Sequence, residues 1–179
     1  TTSRSDFSRF KKRGISLKPV YLEMNYFGPH KHSIIDFRQL EAAPIFLISG
    51  DTGAGKSTIF DAMTFALFGS TTNGGSEGRA AKEMRSQFAP ADQATQVKFY
   101  FEQGNQLYQI TRSPEQFLAK KNGKGLTKKM SKATLAVVEA VGGVETESIA
   151  AKPADVGPEI TAILHLTADQ FKKIILLPQ

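Results

Sequence analysis

No cysteine occurs in the 179 residues. That excludes disulfides and any thiolate-held metal within this chain, and it agrees with a reducing compartment. Nor does any apolar run approach the roughly 18 residues of a membrane-spanning helix, and the first 20 residues are polar and basic, unlike a secretory signal. A cytoplasmic protein with no membrane partner is the expectation. Acid is scarce in two places. Residues 1–18 set Arg4, Arg9, Lys11, Lys12, Arg13 and Lys18 against Asp6 alone, and residues 120–132 carry Lys120, Lys121, Lys124, Lys128, Lys129 and Lys132 with no acid. The net charge of +6 is therefore gathered into two patches over a slightly acidic body. No internal repeat is present. What remains, 40% hydrophobic and 22% charged, is the composition of one globular domain.

Residues 1–17 lack apolar periodicity and read as a flexible basic leader, whether native arm, upstream sequence or cloning remnant. The domain is placed at 18–179. Val20, Leu22, Met24 and Tyr26 alternate with polar positions, which predicts a half-buried strand with those four on its inner side. Gly28-Pro29-His30 turns into a second strand, SIIDF. Pro44–Gly50, PIFLISG, reads as a strand buried on both faces. Ser57–Phe68 has apolar residues around much of its circumference and predicts a buried helix closed by Gly69.

Beyond it, residues 69–79 form a Gly/Ser/Thr/Asn loop. Val97, Phe99 and Phe101 alternate, Gly104-Asn105 fits a hairpin turn, and LYQITR returns. KKNGKGLTKKMSK reads as a basic loop with no aromatic interleaved, followed by the strand ATLAVVEAV. From Pro153 the chain turns helical through EITAILHL, and Thr167 to Gln170 is a capping box opening a last short helix.

GDTGAGKS satisfies G-x-x-x-x-G-K-[ST] with the predicted strand before it and the predicted helix after it, the context this motif requires. Gly50 and Gly55 permit a tight turn in which the backbone of Asp51, Thr52, Gly53 and Ala54 converges its N–H groups on phosphate oxygens at a helix N-terminus. Lys56 is placed to reach the β- and γ-phosphates, Ser57 to ligate Mg²⁺, and Thr58 to add a phosphate contact. ATP with Mg²⁺ is the expected ligand pair. A GTPase is disfavoured because no Asn-Lys-x-Asp reader follows. A small-molecule kinase is disfavoured because Arg79, Arg85 and Arg112 are scattered among strand-like segments instead of forming a lid.

KPVYLEMNYFGPHKHSIIDF, FLISGDTGAGKSTIFDAMTFALFG and LHLTADQFKKIILLPQ together resemble the N-terminal ATPase lobe of the SbcC family, long coiled-coil ATPases of double-strand-break processing within the wider SMC and ABC group. The resemblance implies an α/β fold: an ABC/SMC-type phosphate-loop ATPase head, N-terminal lobe, with a mixed sheet around the phosphate-loop helix and a smaller antiparallel sheet. It implies that LLPQ is the Q-loop, with Gln179 contacting Mg²⁺ and the attacking water. It places Arg85 near the nucleotide, and leaves the turn Phe27-Gly28-Pro29-His30 to reach it by backbone or by His30.

The family's partners are an SbcD-like nuclease, double-stranded DNA, the protein's own C-terminal lobe and a second head in a homodimer. Lys120, Lys121, Lys124, Lys128, Lys129 and Lys132 are the candidate DNA contacts, which would be sequence-independent and salt-sensitive. The apolar strand ending in Asp-Glu and the Ser-Gly-Gly segment over the γ-phosphate, both needed for turnover, are missing from these residues. This chain alone is therefore expected to bind ATP weakly and hydrolyse it negligibly. The alternatives are another SMC- or RecF-like DNA-binding ATPase without a nuclease partner, and a small-molecule kinase.

Overall fold

The computed structural model describes residues 17–40, 56–71 and 81–175. Residues 1–16 of the basic leader, the strand expected at 44–50, most of the 69–79 loop and Gln179 lie outside the described residues. The described part is built on a six-stranded sheet in the order β2-β1-β3-β4-β7-β8 and a separate pair, β5-β6. Its strands are β1 (Lys18–Phe27), β2 (His30–Asp36), β3 (Gln96–Gln103), β4 (Gln106–Ser113), β5 (Gln116–Ala119), β6 (Leu126–Lys129), β7 (Lys132–Val138) and β8 (Glu145–Ala150). Every described pairing is antiparallel. The parallel component of a mixed sheet would rest on residues 44–50. A larger sheet beside a smaller antiparallel pair agrees with the expected architecture.

Period-two burial gives this sheet one large core face, while Val20, expected on that face, is carried past an irregularity between Pro19 and Tyr21 into a small second cluster with Tyr100 and Val138. Leu22 and Met24 on β1, Val97, Phe99 and Phe101 on β3, Tyr108 and Ile110 on β4, and Leu135 on β7 all enter one core. Leu17 packs against that core too, so the folded body includes the last residue assigned to the leader. The alternation fails at Tyr26, which has a positive φ of 49°; Phe27 is buried instead. Rotation of the backbone there aims the Tyr26 carbonyl at two donors, the Ser86 N–H at 2.8 Å and the Thr95 hydroxyl at 3.0 Å.

Helix α1 (Lys56–Phe68) lies on this core with Ala62, Met63, Phe65, Ala66 and Leu67 buried. The Phe65 ring meets Phe27 at 5.5 Å. Gly69, at φ 75°, closes the helix by donating its N–H to the Phe65 carbonyl at 2.7 Å, a left-handed ending that glycine adopts without Cβ strain. Helix α2 (Pro153–Leu164) buries Val156, Ile160 and Leu164 at four-residue spacing. Helix α3 (Ala168–Ile175) opens on the expected capping box: Thr167 N–H donates to Gln170 Oε1 at 2.9 Å, and Gln170 N–H to Thr167 Oγ1 at 3.3 Å. The Phe171 ring then meets that of Phe68 in a tilted contact at 5.6 Å.

Three strands depart from the sequence reading, and β5 falls in residues 113–119, to which no element was assigned. β6 lies inside the stretch expected to be a loop. β8 has no counterpart in the sequence reading because four of its six positions, Glu145 to Ser148, are exposed, leaving no alternation to read.

A candidate nucleotide site at the first helix

Residues 50–55 of the glycine-rich motif lie outside the described residues, and Lys56 and Ser57 are described only as the opening backbone of α1. Thr58 is the first described side chain of the site and is buried. No acid occupies the first turn of α1, so no carboxylate of that turn offsets the positive end of the helix dipole.

The wall beside Thr58 is bare backbone. Gly28, in the β1–β2 turn at φ +56°, comes so close that a Cβ on it would sit 2.7 Å from Thr58 Cγ2. Gly28 N–H donates to the Met84 carbonyl at 2.6 Å, and Phe27 and Arg85 form an antiparallel bridge. The turn after the first strand thus lies against the opening of α1, where the sequence places phosphate. Gly28 therefore packs directly on the first turn of α1, with no room for a side chain between them. His30 is engaged through Nδ1 with Ser33 Oγ at 2.8 Å.

Arg85, expected near the nucleotide, is tied into the fold by its guanidinium. Its Nη1 donates to Gln93 O at 2.7 Å, Gln116 Oε1 at 3.1 Å and Thr95 Oγ1 at 3.3 Å, while Nη2 donates to Pro90 O at 2.9 Å. Partial burial lowers its pKa from the usual guanidinium value. Gln116 completes the knot by accepting from Thr95 N–H at 2.8 Å and donating to Thr95 O at 3.2 Å. Arg85 therefore positions the 86–95 loop and the root of β5. Residues 31 apart in sequence gave no local sign of it.

A second arginine was missed. Arg112 on β4 is only 5% exposed, and its Nε and Nη2 donate to the carbonyls of Ala66 and Leu67 at 2.9 and 3.4 Å. It caps the C-terminus of α1, where carbonyls lack partners and the dipole favours a cation. Burial pushes its pKa down to about 10, so it stays protonated at neutral pH. The alternation that buries Tyr108 and Ile110 carries straight on to Arg112, and that was the available signal.

The lysine cluster is a hairpin and not a plain loop. Phe117 stands opposite Lys128, and Ala119 opposite Leu126. Phe117 and Leu126 are both 56% exposed, so an aromatic does lie among the lysines, across the strand pair instead of along the sequence. Lys128 pairs with Glu115 at 3.2 Å. Lys120, Lys121 and Lys124 ring the turn, which Lys120 N–H closes on Gly125 O at 3.1 Å; Lys129 and Lys132 flank the end of β6. Ala119 N–H donates to Ala91 O at 2.7 Å, fixing the hairpin to the loop that Arg85 holds. Among the described residues no group of three or more His, Asp or Glu is placed to hold a metal, and no helix is long and apolar enough to cross a membrane.

An α/β domain whose first helix opens on Gly-x-x-x-x-Gly-Lys-Ser is of the phosphate-loop class. The chain belongs to the AAA domain family, whose model matches residues 21–179. It is 66% identical over 163 residues to the C subunit of nuclease SbcCD from Lactococcus lactis, a match covering 91% of this chain and 15% of that protein. It is 43% identical over 164 residues to the protein of the same name from Vibrio cholerae, covering 91% and 16%. The Staphylococcus aureus protein of that name is 37% identical over 163 residues, covering 91% and 15%. The chain thus spans about 15% of the length of these relatives.

Proposed function

We propose that this chain is the ATP-binding N-terminal lobe of an SbcC-type ATPase which, with its C-terminal lobe and an SbcD-like nuclease, couples ATP binding and hydrolysis to processing of double-strand breaks or hairpins in DNA. The observation that carries the proposal is GDTGAGKS running into a helix whose first turn has no acid and is walled by Gly28 backbone. Identity of 66% over 91% of the chain supports assigning it to this nuclease complex in preference to an SMC- or RecF-like protein without a nuclease partner, or to a kinase.

In this reading the backbone of Gly50 to Gly55 cradles the phosphates, Lys56 places its charge against the β- and γ-phosphates, and Ser57 and Gln179 offer oxygens to Mg²⁺. Bound MgATP supplies the phosphoryl group whose transfer to water the assembled head catalyses. Arg85 acts through the β1–β2 turn and the 86–95 loop by positioning. The protein is cytoplasmic and its heads pair as a homodimer. Double-stranded DNA lies along the β5–β6 hairpin, where Lys120, Lys121, Lys124, Lys129 and Lys132 face its phosphates and Lys128 exchanges Glu115 for one.

The test is a binding titration with a fluorescent ATP analogue and Mg²⁺, paired with phosphate release. The chain of residues 1–179 should bind weakly, lose binding on Lys56→Ala, and release no phosphate above that variant. Turnover by the unmodified chain exceeding the Lys56→Ala background overturns the half-site reading. Equal affinity of the two chains overturns the nucleotide site itself.

A further inference from the structure

Arg112 has more donors than its cap consumes. A guanidinium carries five N–H groups, and the Ala66 and Leu67 carbonyls take one each from Nε and Nη2. Among the described residues no acceptor meets Nη1 and no carboxylate pairs with the charge. At 5% exposure, a cation in that position carries a desolvation cost that the two carbonyls only partly offset.

Nη1 lies beside Gly69, where a Cβ would come within 2.9 Å of it, and both residues line a cleft of about 620 Å³. The rest of the wall is suited to negative charge. Lys82 contributes a second cation, while the one acid lining the cleft, Glu115, is paired with Lys128. Pro153 and Ala154, at the N-terminus of the 12-residue α2, also line the cleft, and the N-cap position, Lys152, makes no side-chain cap bond. Asp155 and Val156 return their N–H groups to the Lys152 carbonyl at 3.1 and 3.3 Å and Pro153 has none. The Ala154 N–H is left at the cleft wall with no acceptor among the described residues.

We propose that this cleft is a second anion site, at the opposite end of α1 from the phosphate loop, and that it takes a phosphate group. Arg112 Nη1 is its buried donor, the Ala154 N–H and the α2 dipole face it, and Lys82 supplies charge at the edge. The volume admits more than a bare phosphate, so the group belongs either to inorganic phosphate or to a small phosphorylated molecule such as a nucleoside monophosphate. The guanidinium then sits between the carbonyls of α1 and the bound anion, so occupancy completes the cap on the phosphate-loop helix. The proposal stands on the cleft alone and does not depend on ATP binding.

The experiment uses the full chain carrying Lys56→Ala, which silences the phosphate loop, and follows the Arg112 Nε–Hε and Ala154 amide resonances by NMR. Potassium phosphate should shift both saturably, with half-saturation on the order of 1 mM, and chloride at matched ionic strength should shift neither. Arg112→Gln should remove the response. Because that variant also loosens the α1 cap, Ser131→Glu is the second arm: it sets a carboxylate at an exposed lining position, leaves the fold intact and should weaken phosphate binding about tenfold. Adenosine monophosphate shifting the same resonances at lower concentration identifies a nucleotide as the source, and a response to inorganic phosphate alone identifies the free ion. Resonances unmoved by tens of millimolar phosphate, or moved equally in Ser131→Glu, overturn the site.

Discussion

Replacing Gly28 by alanine should damage the protein at one definable point, its approach to Thr58. Two costs arise. Gly28 sits at φ +56°, where an L-residue is disfavoured by roughly 1–2 kcal/mol. The added Cβ would also stand 2.7 Å from Thr58 Cγ2, and the methyl of a buried, β-branched residue in a helix has little freedom to step aside; overpacking of this kind costs about 1–3 kcal/mol. The total is about 2–5 kcal/mol, and the two parts separate in a double-mutant cycle. Thr58→Ser removes Cγ2 while keeping the hydroxyl, so in that background Gly28→Ala should cost only the roughly 1–2 kcal/mol of backbone strain. Urea unfolding reads both numbers from the midpoint at constant slope. ATP affinity should follow the same order, falling in the single Gly28→Ala variant and recovering in part with Thr58→Ser. If the two substitutions add within about 0.5 kcal/mol, the β1–β2 turn does not press on Thr58 and the proposed wall of the phosphate cradle is lost.

Arg85→Ala should destabilise by about 1–3 kcal/mol and expose the 86–95 amides to hydrogen exchange, while Arg85→Lys recovers less than half, because a point charge cannot span four acceptors as the planar fork does; full recovery with lysine counts against the knot. Asp36 is bound by Arg38 through Nε at 2.8 Å and Nη2 at 2.7 Å, and the Arg38 side-chain hydrogen bond holds its carboxyl below the usual value. A depressed carboxylate contributes stability above its unfolded pKa and loses it as pH falls through the folded one, so Asp36→Asn should flatten the stability profile below about pH 4 and leave its slope above pH 5 unchanged. In the complete head, replacing Lys120, Lys121, Lys128 and Lys129 by Gln should shallow the plot of log affinity for duplex DNA against log salt by about 0.9 for each phosphate no longer neutralised; an unchanged slope rejects the hairpin as a DNA-binding element.

The parts of the fold legible in the sequence are those whose cause is local. Leu22 and Met24, or Val97, Phe99 and Phe101, announce a core-facing strand by period alone, whereas Val20 leaves that face at the irregularity between Pro19 and Tyr21; the Thr167–Gln170 box lies within four residues. Tyr26 broke its pattern because its carbonyl serves Ser86 and Thr95, donors 60 and 69 residues away. β6 hid within a lysine run, and Phe117 became neighbour to Lys128 only through strand pairing. Of the candidate site, the phosphate motif was legible in full, whereas the Gly28 wall and the task of Arg85 depend on contacts no sequence window contains. Arg112 is the intermediate case: its burial was readable from Tyr108 and Ile110, its destination on α1 was not.

Helix α1 is held at both ends by one sheet, through the β1–β2 turn at Thr58 and through Arg112 of β4 at Ala66 and Leu67. Thirteen residues make a rod about 20 Å long, and a rod fastened at two points on the same plate cannot pivot on either. A push delivered at its first turn is carried into the strands as a whole-body displacement instead of being absorbed as tilt. Sheet and helix then travel together as the stiff arm of the domain, and bending falls to whatever joins that arm to its neighbours.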